Sequence, residues 1–127
     1  MIDKDQVILD LVRDDPRYFT EAYHFIFEAL DYTLRVRGGG RRHVTGEEIM
    51  HGVRKLALES FGYLARPVVE SWGVRSTADF GDIVFKLINA DLLQKTADDR
   101  REDFEGLFSF DEAFDHAFEL ELQAVEI

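Results

Sequence analysis

The chain has 127 residues, 46% of them apolar, with eleven Phe, no Cys and a formal net charge of −11. That is one domain's length with a core large enough to fold without disulfides or metal, and it excludes a disordered, collagenous or mucin-like chain. The apolar runs are far shorter than the ~20 residues of a membrane-spanning helix. The N-terminus, Met1-Ile2-Asp3-Lys4-Asp5, lacks the basic and apolar regions of a secretory signal. Zero Cys fits a reducing compartment. The expectation is a single cytoplasmic domain over residues 1–127 with no membrane association.

The charge is uneven. Residues 98–127 hold eleven acids against Arg100 and Arg101, a net of −9, which leaves −2 on residues 1–97. One basic patch stands out in the body: Arg35, Arg37, Arg41, Arg42, Arg54 and Lys55. An acidic surface repels phosphate over about a Debye length, roughly 8–10 Å. General nucleic-acid binding is disfavoured, and a local nucleic-acid or anion contact through the patch stays open.

Residues 5–14 predict a short opening helix, with Val7, Ile8, Leu11 and Val12 at helical spacing. Asp15-Pro16 reads as an N-cap and first helical residue. The helix it would open runs to about Arg37. Its apolar stripe is Phe19, Ala22, Tyr23, Ile26, Ala29, Leu30, Thr33 and Leu34, widened by Tyr18, Phe25 and Tyr32. A stripe this wide marks a central helix or one that also faces a partner. Gly38-Gly39-Gly40 ends it as a loop, without the sequence of a phosphate cradle. Thr45-Gly46-Glu47-Glu48 is a capping box opening a helix that Gly62 stops. Pro67 opens a short helix, Val68 to Trp72, and Ser76 or Thr77 caps another carrying Phe80, Ile83, Val84, Leu87 and Ile88. Helix, glycine turn and helix make a helix-turn-helix pattern. Phe104, Gly106, Phe108 and Phe110 alternate with other residues as a period-two strand. Pairing it with Leu92–Thr96 would give a hairpin. Asp111 would cap a last helix with Phe114, Ala117 and Phe118 inward.

The predicted fold is mainly α: a winged-helix-like helix-turn-helix with a small β-hairpin. The alternative is an all-α bundle with an irregular segment at 92–110. Residues 1–15 form an N-terminal helical segment, 16–110 the body and 111–127 an acidic C-terminal segment.

Several motifs from Asp15-Pro16-Arg17-Tyr18 to Phe110-Asp111-Glu112-Ala113-Phe114 resemble one small family. Between them lie His43-Val44-Thr45-Gly46-Glu47-Glu48, Trp72-Gly73-Val74, Asp79-Phe80-Gly81-Asp82-Ile83-Val84-Phe85, Asp98-Asp99 and Glu102-Asp103-Phe104. The family comprises uncharacterised bacterial proteins restricted to Verrucomicrobia and Planctomycetes. The resemblance covers most of the chain. It implies a bacterial, free-standing single domain and supplies no activity and no catalytic residue.

Four constellations could carry chemistry. The exposed face of the second helix of the helix-turn-helix would offer Ser76, Thr77, Asp79, Asp82, Lys86 and Asn89, and its acids sit badly beside phosphates. Glu21, His24, Glu48 and His51 form two Glu-x-x-His motifs, the spacing of a di-metal carboxylate bundle. Glu48 is already explained by the capping box. No Cys and no GxSxG marks a nucleophile, so no catalytic residue and no cofactor is assigned. The acidic C-terminus, mixed with Phe and Leu, could dock a basic partner or fold back over the Arg35–Lys55 patch. Trp72 reads as a core anchor. The expected function is a non-enzymatic protein-interaction or adaptor module, docking a protein partner or a second copy. It would dock through helix 17–37 or the acidic tail. A DNA- or RNA-binding regulator is second and a metal-dependent enzyme third.

Overall fold

The structure, a computed structural model, describes residues 3–36, 44–94 and 100–116. Five α-helices carry most of it: α1 Lys4–Asp14, α2 Thr20–Val36, α3 Gly46–Phe61, α4 Ala65–Ser71 and α5 Thr77–Asn89. Each begins or ends for local reasons. The Asp3 carboxylate caps α1 by accepting from the backbone N–H groups of Asp5 and Gln6 at 3.1 and 3.3 Å. Thr45 and Glu48 form the expected capping box at α3, with bonds of 3.1 and 3.0 Å. Gly62, at φ 56°, ends α3 in a conformation that side chains resist. Ser76 caps α5 through the Asp79 N–H.

Helix α2 is the central element. It packs against α1, α3 and α5 and buries Ala22, Tyr23, Phe25, Ile26, Ala29 and Thr33. Its wide apolar stripe is therefore covered by three neighbours rather than offered to a partner. Helix α3 runs antiparallel to it. Phe25 lies 6.0 Å from Phe61 near one end of the pair, and Gly52 faces Thr33 towards the other. A Cβ on Gly52 would stand 2.1 Å from Thr33 Oγ1, so the close approach of the helices requires glycine there. Phe25, Phe61 and Trp72 form an aromatic cluster with centroids 5.1–6.0 Å apart. Trp72 is a core anchor, 8% exposed.

Two of the expected helix starts move. Asp15 and Pro16 do not open α2. Asp15 ends α1, its N–H bonding Leu11 O at 3.0 Å, and residues 16–18 form a turn before Thr20. The turn is held by tertiary contacts that override the local signal. Tyr18 is buried, and the Phe19 N–H donates to Trp72 O at 3.0 Å. Helix α4 starts at Ala65, so Pro67 sits within its first turn, where its missing N–H has no helical acceptor in any case.

The expected hairpin is absent among the described residues. Arg101–Phe104 is a 3-10 turn, Gly106 turns the chain at φ 66°, and Asp111–His116 is a π-helical turn. Phe104 and Phe110 do point inward, 1% and 4% exposed. Their spacing reflects plugging of the helical body rather than a β pleat. The winged-helix reading loses its wing, and the helical bundle with an irregular 92–110 segment fits what is described. Lys95–Asp99 of the expected wing lie outside the described residues, as do Ala117 and Phe118. Ser109, not Asp111, caps the last turn, accepting from the Glu112 N–H at 3.2 Å.

Residues 100–116 thus form a strap across α3, α4 and α5. Phe104 fills a slot between Gly46 of α3 and Gly81 of α5 and meets Phe85 edge-on at 5.9 Å. A Cβ on Gly81 would stand 2.6 Å from Phe104 Cβ. In an ordinary helix interior, glycine to alanine gains up to ~1 kcal/mol, whereas overpacking a core costs about 1–3 kcal/mol. Gly81→Ala is therefore expected to destabilise by about 1–2 kcal/mol. In a Phe104→Gly background, which removes that Cβ together with the ring, the same change becomes neutral or stabilising. Urea unfolding of the four proteins of this cycle checks the reversal of sign.

The Tyr23 hydroxyl is fully buried and has no hydrogen-bond partner among the described residues. Burial pushes its phenol up to about 12. A desolvated hydroxyl without a bond opposes folding. Tyr23→Phe is expected to leave stability unchanged or raise it by up to ~2 kcal/mol. A clear loss of stability in thermal unfolding would show that the hydroxyl has a stabilising partner.

Candidate functional site

The flank of α5 that a nucleic-acid reader would present is engaged inside the molecule. Tyr18 Oη lies 3.0 Å from both Asp79 Oδ1 and Asp82 Oδ2. A phenol has one proton, so it donates to one carboxylate at a time. Arg17 approaches Asp82 at 3.6 Å, and Arg101 of the strap pairs with its other oxygen. The second Asp79 oxygen accepts from the Arg75 N–H at 2.8 Å. Burial, followed by the nearby Asp79 charge, pushes the Tyr18 phenol up to about 12, which keeps the donor protonated at neutral pH. Lys86, also on this helix, pairs with Asp15. Thr77 is buried and accepts from the Leu107 N–H at 3.3 Å. Of the six residues expected on an exposed reading face, four are tied to other parts of the chain.

Asp15 is the hub of the α1–α2 turn. Its carboxylate accepts from Arg17 Nε and Nη2 at 2.9 and 2.7 Å and pairs with Lys86. The Arg17 hydrogen bonds first, and Lys86 second, hold it well below the usual carboxylate range. Local sequence assigns Asp15 only a capping role. No local pattern announces Lys86, 71 residues away.

The basic patch is only partly assembled within the described residues. Arg35 pairs with Asp31 at 3.1 Å on its own helix. Arg54 and Lys55 lie on α3. Arg37, Arg41 and Arg42 lie outside the described residues. The acidic segment does not fold back onto the patch where it is described. Asp111 and Asp115 instead pair with Arg66 of α4, which also holds Glu70 at 3.1 Å.

The two Glu-x-x-His motifs stay apart. Both lie in the first half of their helices, and α2 and α3 are antiparallel, so they fall towards opposite ends of the pair. With 1.5 Å of rise per residue, the separation is roughly 15 Å. His24 faces Asp5 at 4.0 Å, His51 faces Glu47 at 3.7 Å, and Glu48 serves the capping box. No group of three or more metal-ligating side chains occurs among the described residues.

A cleft of about 160 Å³ lies between α2 and α3, lined by Tyr32, Thr33, Val36, Glu48, His51, Gly52 and Lys55. Ligand pockets are commonly several hundred Å³. Thr33 Oγ1 is committed to Ala29 O at 2.7 Å. A hydrogen bond to Glu59 raises the Tyr32 phenol above its ordinary value. The cleft gathers no nucleophile with a base.

The other end of the helix pair is different. Phe19, Tyr63 and Leu64 are 54%, 71% and 46% exposed. Phe19 bonds the Trp72 carbonyl through its backbone, and Phe61, next to the Gly62–Leu64 turn, packs on the Trp72 ring. The exposed side chains therefore flank a rigid aromatic cluster. Sequence periodicity places Phe19 in the buried stripe because it extends α2 over a turn.

No protein family, curated protein or solved structure matches the chain. The resemblance drawn from its motifs gains no support there. No helix among the described residues is long and apolar enough to cross a membrane.

The Asp15 network makes a pH-dependent contribution. A carboxylate whose folded pKa is lowered adds stability that is complete above its unfolded value, near 3.9, and is lost as pH falls through the folded one. Asp15→Asn is expected to cost about 1–2 kcal/mol at neutral pH. The difference from wild type should shrink as pH falls below about 4. Urea midpoints of both proteins between pH 7 and pH 3 measure it.

Proposed function

We propose that the chain is a non-enzymatic protein-docking module whose contact surface is the aromatic end of the bundle. One observation carries this reading: Phe19, Tyr63 and Leu64 stand exposed around the packed Phe25, Phe61 and Trp72 cluster. Large apolar side chains presented on a rigid base are the usual anchors of protein interfaces. The net charge of −11 favours a partner with a basic rim through long-range steering. Helix α2 itself is a poor docking face, since its aromatics are covered. A cytoplasmic, bacterial setting belongs to the same proposal. It rests on the cysteine-free composition and the motif resemblance, which assigns no role to any residue.

The nucleic-acid regulator is the weaker reading. Its expected reading helix carries Asp79 and Asp82, both engaged by other parts of the chain, and Lys86 is held by Asp15. The metal-enzyme reading would need its two motifs to meet across the helix pair.

The double variant Phe19→Ser/Leu64→Ser is expected to keep its fold, within about 0.5 kcal/mol in urea unfolding. It should lose about tenfold or more of the affinity for a stoichiometric partner co-purified with the wild-type chain. Equal recovery of that partner by the double variant would sink the reading. So would a wild-type chain that yields no stoichiometric partner.

A further inference from the structure

We propose that the cleft between α2 and α3 binds a small monocarboxylate whose apolar body is the size of one aromatic ring. Two rungs of side chains stand over a bare floor. Tyr32 and Val36, one turn apart on α2, form one wall, and His51 and Lys55, one turn apart on α3, form the other. The buried residues Thr33 and Gly52 form the floor, where the missing side chain of Gly52 lets the two helices close up. The space is about 160 Å³. A cavity of about 150 Å³ takes up benzene, whereas drug-sized ligands need several times more room.

The polar groups of the cleft narrow the chemistry of its occupant. The Tyr32 phenol bonds Glu59, and Thr33 Oγ1 donates to Ala29 O at 2.7 Å. Both hydroxyl protons are therefore spent, a poor lining for a sugar or polyol. Glu48 accepts from the Thr45 N–H at 3.0 Å within the α3 cap. The Lys55 ammonium is different, because the acids around it are engaged elsewhere. Glu59, one turn on, holds Tyr32, Glu47 faces His51 at 3.7 Å, and Asp31 holds Arg35 at 3.1 Å. Lys55 is exposed and forms no ion pair among the described residues. In a chain of net charge −11, an unpaired cation beside an apolar cleft is the complement of a carboxylate.

The same residues give the bound acid a direction. Glu48 and Lys55 line opposite ends of the cleft, two turns apart on α3, about 10 Å along its axis. The carboxylate faces Lys55 and keeps away from Glu48. The ring lies against Tyr32, Val36 and the Gly52 backbone. Val36 is 62% exposed, and a bound ring removes part of that apolar surface from water. An amine of the same shape meets repulsion from Lys55 instead. The cleft lies at the far end of the helix pair from the Phe25 and Phe61 contact. It therefore stands or falls separately from the docking surface at Phe19, Tyr63 and Leu64.

The probe is sodium benzoate, titrated into the full-length chain and followed by the nuclear magnetic resonance of its backbone amides. Saturable shifts are expected at Thr33, Gly52 and Lys55, with a Kd of about 1 mM. Lys55 and Val36 are both exposed, so Lys55→Gln and Val36→Ser are expected to keep the fold, which the same spectra report. Each variant should weaken benzoate by about threefold to fivefold. Benzyl alcohol, the same ring without the charge, should bind more weakly by a similar factor, and benzylamine more weakly still. Absence of saturation up to about 20 mM benzoate overturns the proposal. Benzylamine that binds as tightly as benzoate overturns it too, as does an affinity indifferent to Lys55→Gln. Shifts confined to Arg54 and Lys55, with Thr33 and Gly52 unmoved, also overturn it and assign the benzoate to surface charge alone.

Discussion

Asp82 is the point at which three stretches of the chain are joined. Its carboxylate is almost wholly covered, and a covered charge is stable only when it is paired and hydrogen-bonded. Here Tyr18 and Arg17 come from the α1–α2 turn, Arg101 comes from the strap, and Asp82 itself comes from α5. The turn cannot open into a longer α2 without removing Tyr18 from this group. The strap cannot shift along α5 without removing Arg101. Asp82 thus links the start of α2 to the entry of Phe104 into its slot, alongside the Tyr18 contact to Asp79 and the Phe19 bond to Trp72.

This explains which parts of the fold are legible in the sequence. Helix starts at Thr45 and Ser76 and the stop at Gly62 are decided within four residues, and such signals survive tertiary packing. The buried stripe of α5 stands where helical periodicity puts it at Phe80, Ile83, Val84 and Leu87, and that of α3 at Ile49, Val53 and Ala57, while Ser60 is exposed and Met50 is buried in its place. The turn after Asp15 escapes local reading because its cause lies 61 and 64 residues away, in the Tyr18 contacts to Asp79 and Asp82. The strap escapes it for a related reason. Phe104 and Phe110 have strand spacing, but Phe104 turns inward into a slot made by two glycines elsewhere, and Phe110 packs on Phe114. Gly81, in the middle of an otherwise regular helical stripe, is the one available hint, since an isolated helical glycine often marks a close approach.

The candidate sites divide along the same line. Residue types that suggest chemistry, the two Glu-x-x-His motifs, are a matter of local spacing, and antiparallel packing separates them. The acids of α5 look in sequence like a repulsive surface for DNA. They are better understood as internal partners, so their charge says little about what the surface recognises. Glu48 belongs to its helix cap and Arg35 to its neighbour Asp31. Once such pairings are assigned, exposed apolar side chains become the stronger guide to contact surfaces.

That shift in weight has a physical basis. Many surface charges here have nearby partners of opposite sign, and exposed pairs contribute little energy and little specificity. The aromatic cluster at Trp72 differs, because Phe25 and Phe61 hold the indole from two sides. The backbone at Phe19 is fixed against this cluster by its bond to the Trp72 carbonyl. A surface whose backbone is already ordered meets less ordering cost in any docking of the kind proposed. The same pre-ordering governs the strap, where two glycines shape the cavity before Phe104 enters. Both the cluster and the slot owe their shape to packing inside the bundle rather than to the net charge outside it.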